Sequence, residues 1–220
     1  DLMIAVEKGE KKNEPFIRYN CDKQYRLAQL KEHFYKKDTL YAEYNYRPKY
    51  TRKDTLRGSL RHARTCYDVT FYDLQVQLLP GKKSIKGQNA IYFTVLDSTK
   101  VIQVDLFRHY NVKEVIWNSK SLSFHWDEDA MFIQFPDFLL PAALHQLTIV
   151  YDGKPPIAEN PPWQGGFVWK RDKKYNHWAG VACEHFGASS WWPCKDHPTD
   201  EPDSMRMTFI APKRYDVVAN

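Results

Sequence analysis

A chain of 220 residues with 43% hydrophobic and 15% aromatic content is long enough to bury about 70% of its unfolded surface, which excludes a coreless, disordered polymer. Its net charge of +5 is unevenly placed: residues 8–64 hold sixteen Lys and Arg against seven acids, whereas residues 65–220 hold sixteen against eighteen. No apolar run approaches the roughly 20 residues of a membrane helix, and no charged-then-apolar leader opens the chain, so neither a membrane span nor a signal segment is expected.

The basic segment interleaves Tyr44, Tyr46 and Tyr50 with its cations but carries no known nucleic-acid docking pattern, so nucleic acid is not an expected partner. It reads as a solvated surface or as a face for an acidic partner domain. Cys21, Cys66, Cys183 and Cys194 are too few for a disulfide scaffold and lack C-x-x-C spacing. They read as buried thiols, with a Cys183–Cys194 bridge or a loose metal pair as the alternatives. The chain begins at Asp1 and stops within an apolar run, Tyr215 to Asn220, which reads as a cut inside a larger protein.

In chain order, residues 1–19 are polar and irregular. Tyr25, Leu27, Leu30 and Phe34 form a stripe that predicts a helix over Asp22 to Lys37. Residues 38–64 are charged nearly throughout and broken by Pro48 and Gly58, which predicts an extended arm around the main domain.

From Tyr67 the apolar period becomes two. Val69 and Phe71 alternate, then Tyr72, Leu74, Val76 and Leu78 in the opposite phase, so a bulge is expected near Phe71 and Tyr72. Pro80-Gly-Lys-Lys83 predicts a turn, and residues 85–95 the returning strand of a hairpin, with Asn89 as a polar lapse. Further strands are predicted over Val101 to Leu106, Val112 to Trp117, Ser121 to Trp126, Met131 to Phe135 and Gln146 to Tyr151. No helix-length stretch intervenes, and the strands fall at about the spacing of an all-β sandwich, so an all-β fold is expected. Prolines at 155, 156, 161 and 162 end this run. Strands resume at Met205 to Ile210 and Tyr215 to Val218, leaving Trp178 to Pro202 as an irregular excursion.

No H-E-x-x-H, nucleophile elbow, Walker loop or dinucleotide fingerprint occurs. His125-Trp-Asp-Glu128 alternates on a strand-to-turn segment and makes a poor metal site. The hydroxyls of Gly187-Ala-Ser-Ser190 read as turn caps, and Trp191 and Trp192 as core. The acid to weigh is Glu184, set among Ala182, Cys183, Phe186, Gly187 and Ala188. An unpaired carboxylate is costly in such surroundings, so either an internal partner or a cationic ligand facing a cleft is expected.

Two stretches give the chain a family likeness from about Thr55 to its end. One is Asp68-Val-Thr-Phe-Tyr-Asp-Leu-Gln-Val-Gln-Leu78 with Ile85-Lys-Gly87. The other is Glu184, ten residues before the Cys of Pro193-Cys-Lys-Asp196, with Asp196-His-Pro-Thr-Asp-Glu-Pro202 as an expanded Asp-Glu-Pro. Together they resemble the N-terminal domain of zinc aminopeptidases of the aminopeptidase N family, which also includes leukotriene hydrolase. The resemblance implies an all-β domain over residues 55–220, antiparallel and saddle-like or sandwich-like, with residues 1–54 as a basic, helix-containing extension outside it. It implies that this domain lies against a separate zinc-bearing catalytic domain beyond Asn220, with no catalytic residue and no metal ligand in this chain. It places Glu184 where the family holds the free α-amino group of a peptide substrate. The implied partners are the parent's own catalytic domain and a peptide with a free N-terminus, and family habit favours an exported or periplasmic location. Ala182 stands where many relatives have Gln, and Ser189 where Arg is common, which bears on substrate preference. A non-enzymatic β-sandwich interaction module is the alternative.

Overall fold

The computed structural model describes residues 50–161, 165–171, 173, 176–184 and 186–219. The helix predicted over Asp22 to Lys37 lies outside them, as does Cys21.

Two short helices precede the strands, α1 (Arg52–Gly58) and α2 (His62–Thr65), where an extended arm was expected. α1 is set by a capping box: the Asp54 N–H donates to Thr51 Oγ1 at 3.2 Å, and the Thr51 N–H donates to the Asp54 carboxylate at 2.8 Å. Low apolar content does not prevent these helices, because their polar side chains find acids on the β domain. Arg52 pairs with Asp127, Lys53 with Asp129, Arg57 with Asp196, His62 with Asp97 and Arg64 with Asp105. For this part of the basic segment, the acidic face is supplied by the same chain.

The strands are β1 (Tyr67–Leu79), β2 (Ser84–Val95), β3 (Thr99–Asp105), β4 (Asn111–Trp117), β5 (Lys120–Ser121), β6 (Phe124–Asp127), β7 (Ala130–Leu139), β8 (Leu144–Gly153), β9 (Gly166–Arg171), β10 (His177–Ala182) and β11 (Ser204–Ile210). Among the described residues they form a six-stranded sheet in the order β11-β1-β2-β8-β4-β5, a three-stranded sheet β3-β7-β6 and the hairpin β9-β10. Pairing is antiparallel except between β1 and β11. The all-β expectation holds. The β1 register shifts between Val69 and Phe71, next to the predicted bulge. The expected strand over Ser121 to Trp126 is two strands in different sheets. Part of the expected irregular excursion is strand β10, whereas Tyr215 to Val218 is not strand.

Inward positions of β1, β2 and β8 (Tyr72, Leu74, Ile91, Phe93, Leu147, Ile149) meet those of β3 and β7 (Ile102, Val104, Ile133, Phe135) in one buried core. Gly87 lets the Tyr151 ring lie against the β2 backbone, where a side chain would overlap it. At the far end of β8, the Trp117 indole N–H donates to His145 Nδ1 at 3.4 Å, and the imidazole rests beside Phe93 and Trp117. Burial pushes the His145 pKa below its ordinary value.

The sign of its pH effect follows from that depression. The unfolded chain takes up the His145 proton first as pH falls below the ordinary imidazole value, so this contribution to stability is present above that value and lost on acidification. In thermal melts from pH 7 to pH 5, His145→Gln, neutral throughout, should show a shallower fall in Tm than the parent sequence. Parallel profiles would remove His145 from the account.

Candidate functional site

The segment from Cys183 to Asp200 has little regular structure, so its backbone polar groups need partners from elsewhere. Core side chains provide them. Tyr110 Oη donates to the Ser190 carbonyl at 3.0 Å, Tyr151 Oη to that of Trp191 at 2.9 Å, and Asn89 Nδ2 to that of Pro193 at 2.8 Å. The polar lapse at Asn89 is explained: it is a buried donor holding the turn against β2.

The Pro193-Cys-Lys-Asp196 turn carries two charge clusters. In the first, Cys194 and Asp105 exchange backbone hydrogen bonds at 2.7 and 3.0 Å. The Asp105 carboxylate accepts two hydrogen bonds from Arg64, at 2.7 and 2.9 Å, one from Gln103 Nε2 at 2.8 Å and one from the Asp196 N–H at 3.0 Å. Burial pushes the Asp105 carboxyl up, and the Arg64 charge with these donors opposes it. In the second, Lys195 is buried, pairs with Asp200, donates to the Tyr67 carbonyl and lies 4.4 Å from the Tyr67 ring centre. Asp200 also accepts from the Val69 N–H at 3.3 Å. The loop is thus fastened to β1 and β3 at both flanks.

The aromatic and sulfur-bearing residues of the segment are scaffold. Trp192 is buried edge-on to Tyr72 at 5.0 Å, and Trp191 stacks on Phe209 and meets Phe167 edge-on at 5.9 Å. Cys66, Cys183 and Cys194 are free thiols, the first and last buried, and burial raises the pKa of each. Ser190 Oγ caps its local turn through the Gly187 carbonyl at 2.7 Å, whereas Ser189 Oγ reaches Asp196 at 2.6 Å. His125 stacks on Phe132 at 5.2 Å, and Asp127 binds Arg52. Among the described residues no three His, Cys, Asp or Glu side chains converge as metal ligands, and no helix is long and apolar enough to cross a membrane.

Glu184 follows β10 in a turn closed by the Gly187 N–H donating to the Cys183 carbonyl at 2.7 Å. It is exposed, and no hydrogen bond or ion pair joins its carboxylate to a described residue. The apolar surroundings read from its neighbours in sequence are therefore not realised: Glu184 is exposed, whereas Ser189, Ser190 and Trp192 of the same segment are buried. Neither arginine that braces this region, Arg57 or Arg64, was singled out in the sequence. Their acids lie far away along the chain, and no local pattern marks the pairs.

No curated protein matches the chain. Among solved structures it is similar to a two-domain M1 zinc metallopeptidase bound to L-arginine, with 22% identity, a TM-score of 0.56, and coverage of 67% of this chain and 33% of that one. For the M1 zinc metallopeptidase from Deinococcus radiodurans the values are 23%, 0.53, 65% and 32%. For native leukotriene A4 hydrolase from Saccharomyces cerevisiae they are 16%, 0.57, 76% and 26%. The chain thus spans a third or less of the length of these proteins, and the likeness is one of fold. Residues 69–220 match the family model described as the Peptidase M1 N-terminal domain; carrying that match over most of its length, on an all-β frame, the chain belongs to this family.

Proposed function

We propose that this domain anchors the substrate of a zinc-dependent aminopeptidase, with Glu184 holding the free α-amino group of a peptide at the boundary with a catalytic domain elsewhere in the parent protein. The observation that supports this reading is the exposed Glu184 carboxylate, which has no cation partner among the described residues in a region where Asp105, Asp127, Asp129, Asp196 and Asp200 all have one. A carboxylate enclosed when a second domain closes over it would pair strongly with an ammonium group and fix its distance to the scissile bond. Zinc in that second domain would activate water and polarise the peptide carbonyl. This chain's share is to bind the amine and to align the first residue, which limits cleavage to one residue at a time.

The parent protein, given an aminoacyl-coumarin amide and its N-acetylated twin, should release coumarin from the first only. The isolated 220-residue chain should release it from neither. Equal cleavage of both compounds by the parent would contradict amine anchoring. The alternative, a binding module without catalysis, draws on the exposed Trp178 and Val181 of β10, and a parent protein inactive on both compounds would favour it.

A further inference from the structure

α1 lies before the part of the chain that matches the family, yet it bears directly on the turn that carries Glu184. Its Arg57 guanidinium is 3.6 Å from the Asp196 carboxylate, which also accepts the Ser189 N–H at 3.3 Å and hydroxyl at 2.6 Å. Gly187, the residue that closes the Glu184 turn, has a φ of 72°. It fits directly against Arg57 and Asp196, where a methyl group would overlap both. Beside it, Phe186 packs edge-on against Phe107 at 5.7 Å, and Lys53 of α1 lies 4.4 Å from the Phe107 ring centre. The Phe107 N–H in turn donates to the Ser189 carbonyl at 2.9 Å. A narrow cleft between the helix and this turn is lined by Leu56, Arg57, Phe107 and Ser189.

We infer that Arg57 is a positioning residue for Glu184. Its charge holds the Asp196 carboxylate, Asp196 and Arg57 together form the surface that seats Gly187, and Gly187 fixes the turn from which Glu184 projects. The inference rests on the amine-anchor reading of Glu184. An anchor works only if its distance from the reacting bond is fixed, and a displacement of about 1 Å can cost about a hundredfold in rate. Arg57 is itself partly exposed, so its removal should disturb the turn more than the fold.

The test uses the parent protein and two substrates, an aminoacyl-coumarin amide with a free amine and its des-amino counterpart. Arg57→Ala should lower kcat/KM for the free-amine compound by about tenfold to a hundredfold. It should leave the des-amino rate and the Tm close to wild type, and Arg57→Lys should restore most of the loss. In a Glu184→Gln background, Arg57→Ala should add nothing further. Equal losses on both substrates, or an additive loss in the double variant, would overturn the inference by showing that Arg57 serves only the fold. If Glu184→Gln abolishes the preference for the free amine while Arg57→Ala preserves it, positioning by Arg57 fails and the anchor stands. If Glu184→Gln itself leaves that preference intact, the anchor reading fails and takes the inference with it.

Discussion

Arg64→Leu should lower the free energy of unfolding by about 3 to 5 kcal/mol, the scale for removing one partner of a buried ion pair. Arg64 is 0% exposed and Asp105 4%, and the pair is bidentate. Leucine would remove the guanidinium, leave the Leu56 carbonyl without the Arg64 donor, and keep the Asp105 charge inside with only Gln103 and the Asp196 N–H to hold it. Burial already pushes the Asp105 carboxyl up, and without Arg64 the strongest opposing charge is gone. Folded Asp105 would then bind its proton at a pH where the unfolded chain has released it, and stability would fall as pH rises. The deficit of Arg64→Leu should therefore be smaller near pH 5 than near pH 8. Urea unfolding followed by tryptophan fluorescence measures both effects. A double variant, Arg64→Leu with Asp105→Leu, should recover part of the loss, because no charge remains buried. A single-variant loss below about 1 kcal/mol would place this pair with ordinary surface ion pairs.

Glu184→Gln in the parent protein should reduce kcat/KM for free-amine substrates by about 2 to 4 kcal/mol, the scale for losing one side of an enclosed charge pair. The unfolding free energy should move by no more than about 0.5 kcal/mol, as for an exposed side chain without partners. Gln keeps the size and a hydrogen-bond acceptor but removes the charge, so the loss reports on the ammonium contact. The des-amino substrate should be hydrolysed at the wild-type rate. Wild-type activity together with a marked fall in Tm would make Glu184 a structural residue.

The hairpin of β1 and β2 was legible because both strands alternate, apart from the phase change in β1 and Asn89 in β2, and Pro80 to Lys83 reads as a turn. The phase change near Phe71 likewise marked the bulge, since one extra residue moves every later side chain to the other face. The division of Ser121 to Trp126 was not legible. Its residues alternate as one strand would, but the Leu122 N–H turns to the Val115 carbonyl while Phe124 to Asp127 join β7, a choice made by the two sheets. α1 was hidden for a related reason. Its charges, read locally, describe a solvated arm, and only the fold brings Asp127, Asp129 and Asp196 within reach. Glu184 was singled out by its spacing to the Pro193-Cys-Lys-Asp196 turn, whereas its exposure, within a turn closed by the hydrogen bond from Gly187 to Cys183, is revealed by no neighbour in sequence.

The parallel pairing of β1 with β11 sets an order of events during synthesis. β1 has its partner β2 immediately, but its other edge is covered only by Ser204 to Ile210. At roughly 5 to 20 residues per second, the 133 residues separating Asp73 from its cross-strand partner Arg206 keep that edge open for roughly 7 to 27 s. An open edge is a template for pairing with other chains, so the nascent domain is most exposed to misassembly in this interval. Lys195 and Asp200, which tie the loop to Tyr67 and Val69, emerge just before β11. Among the described strands, β1 is thus completed by β11, which is made 133 residues later.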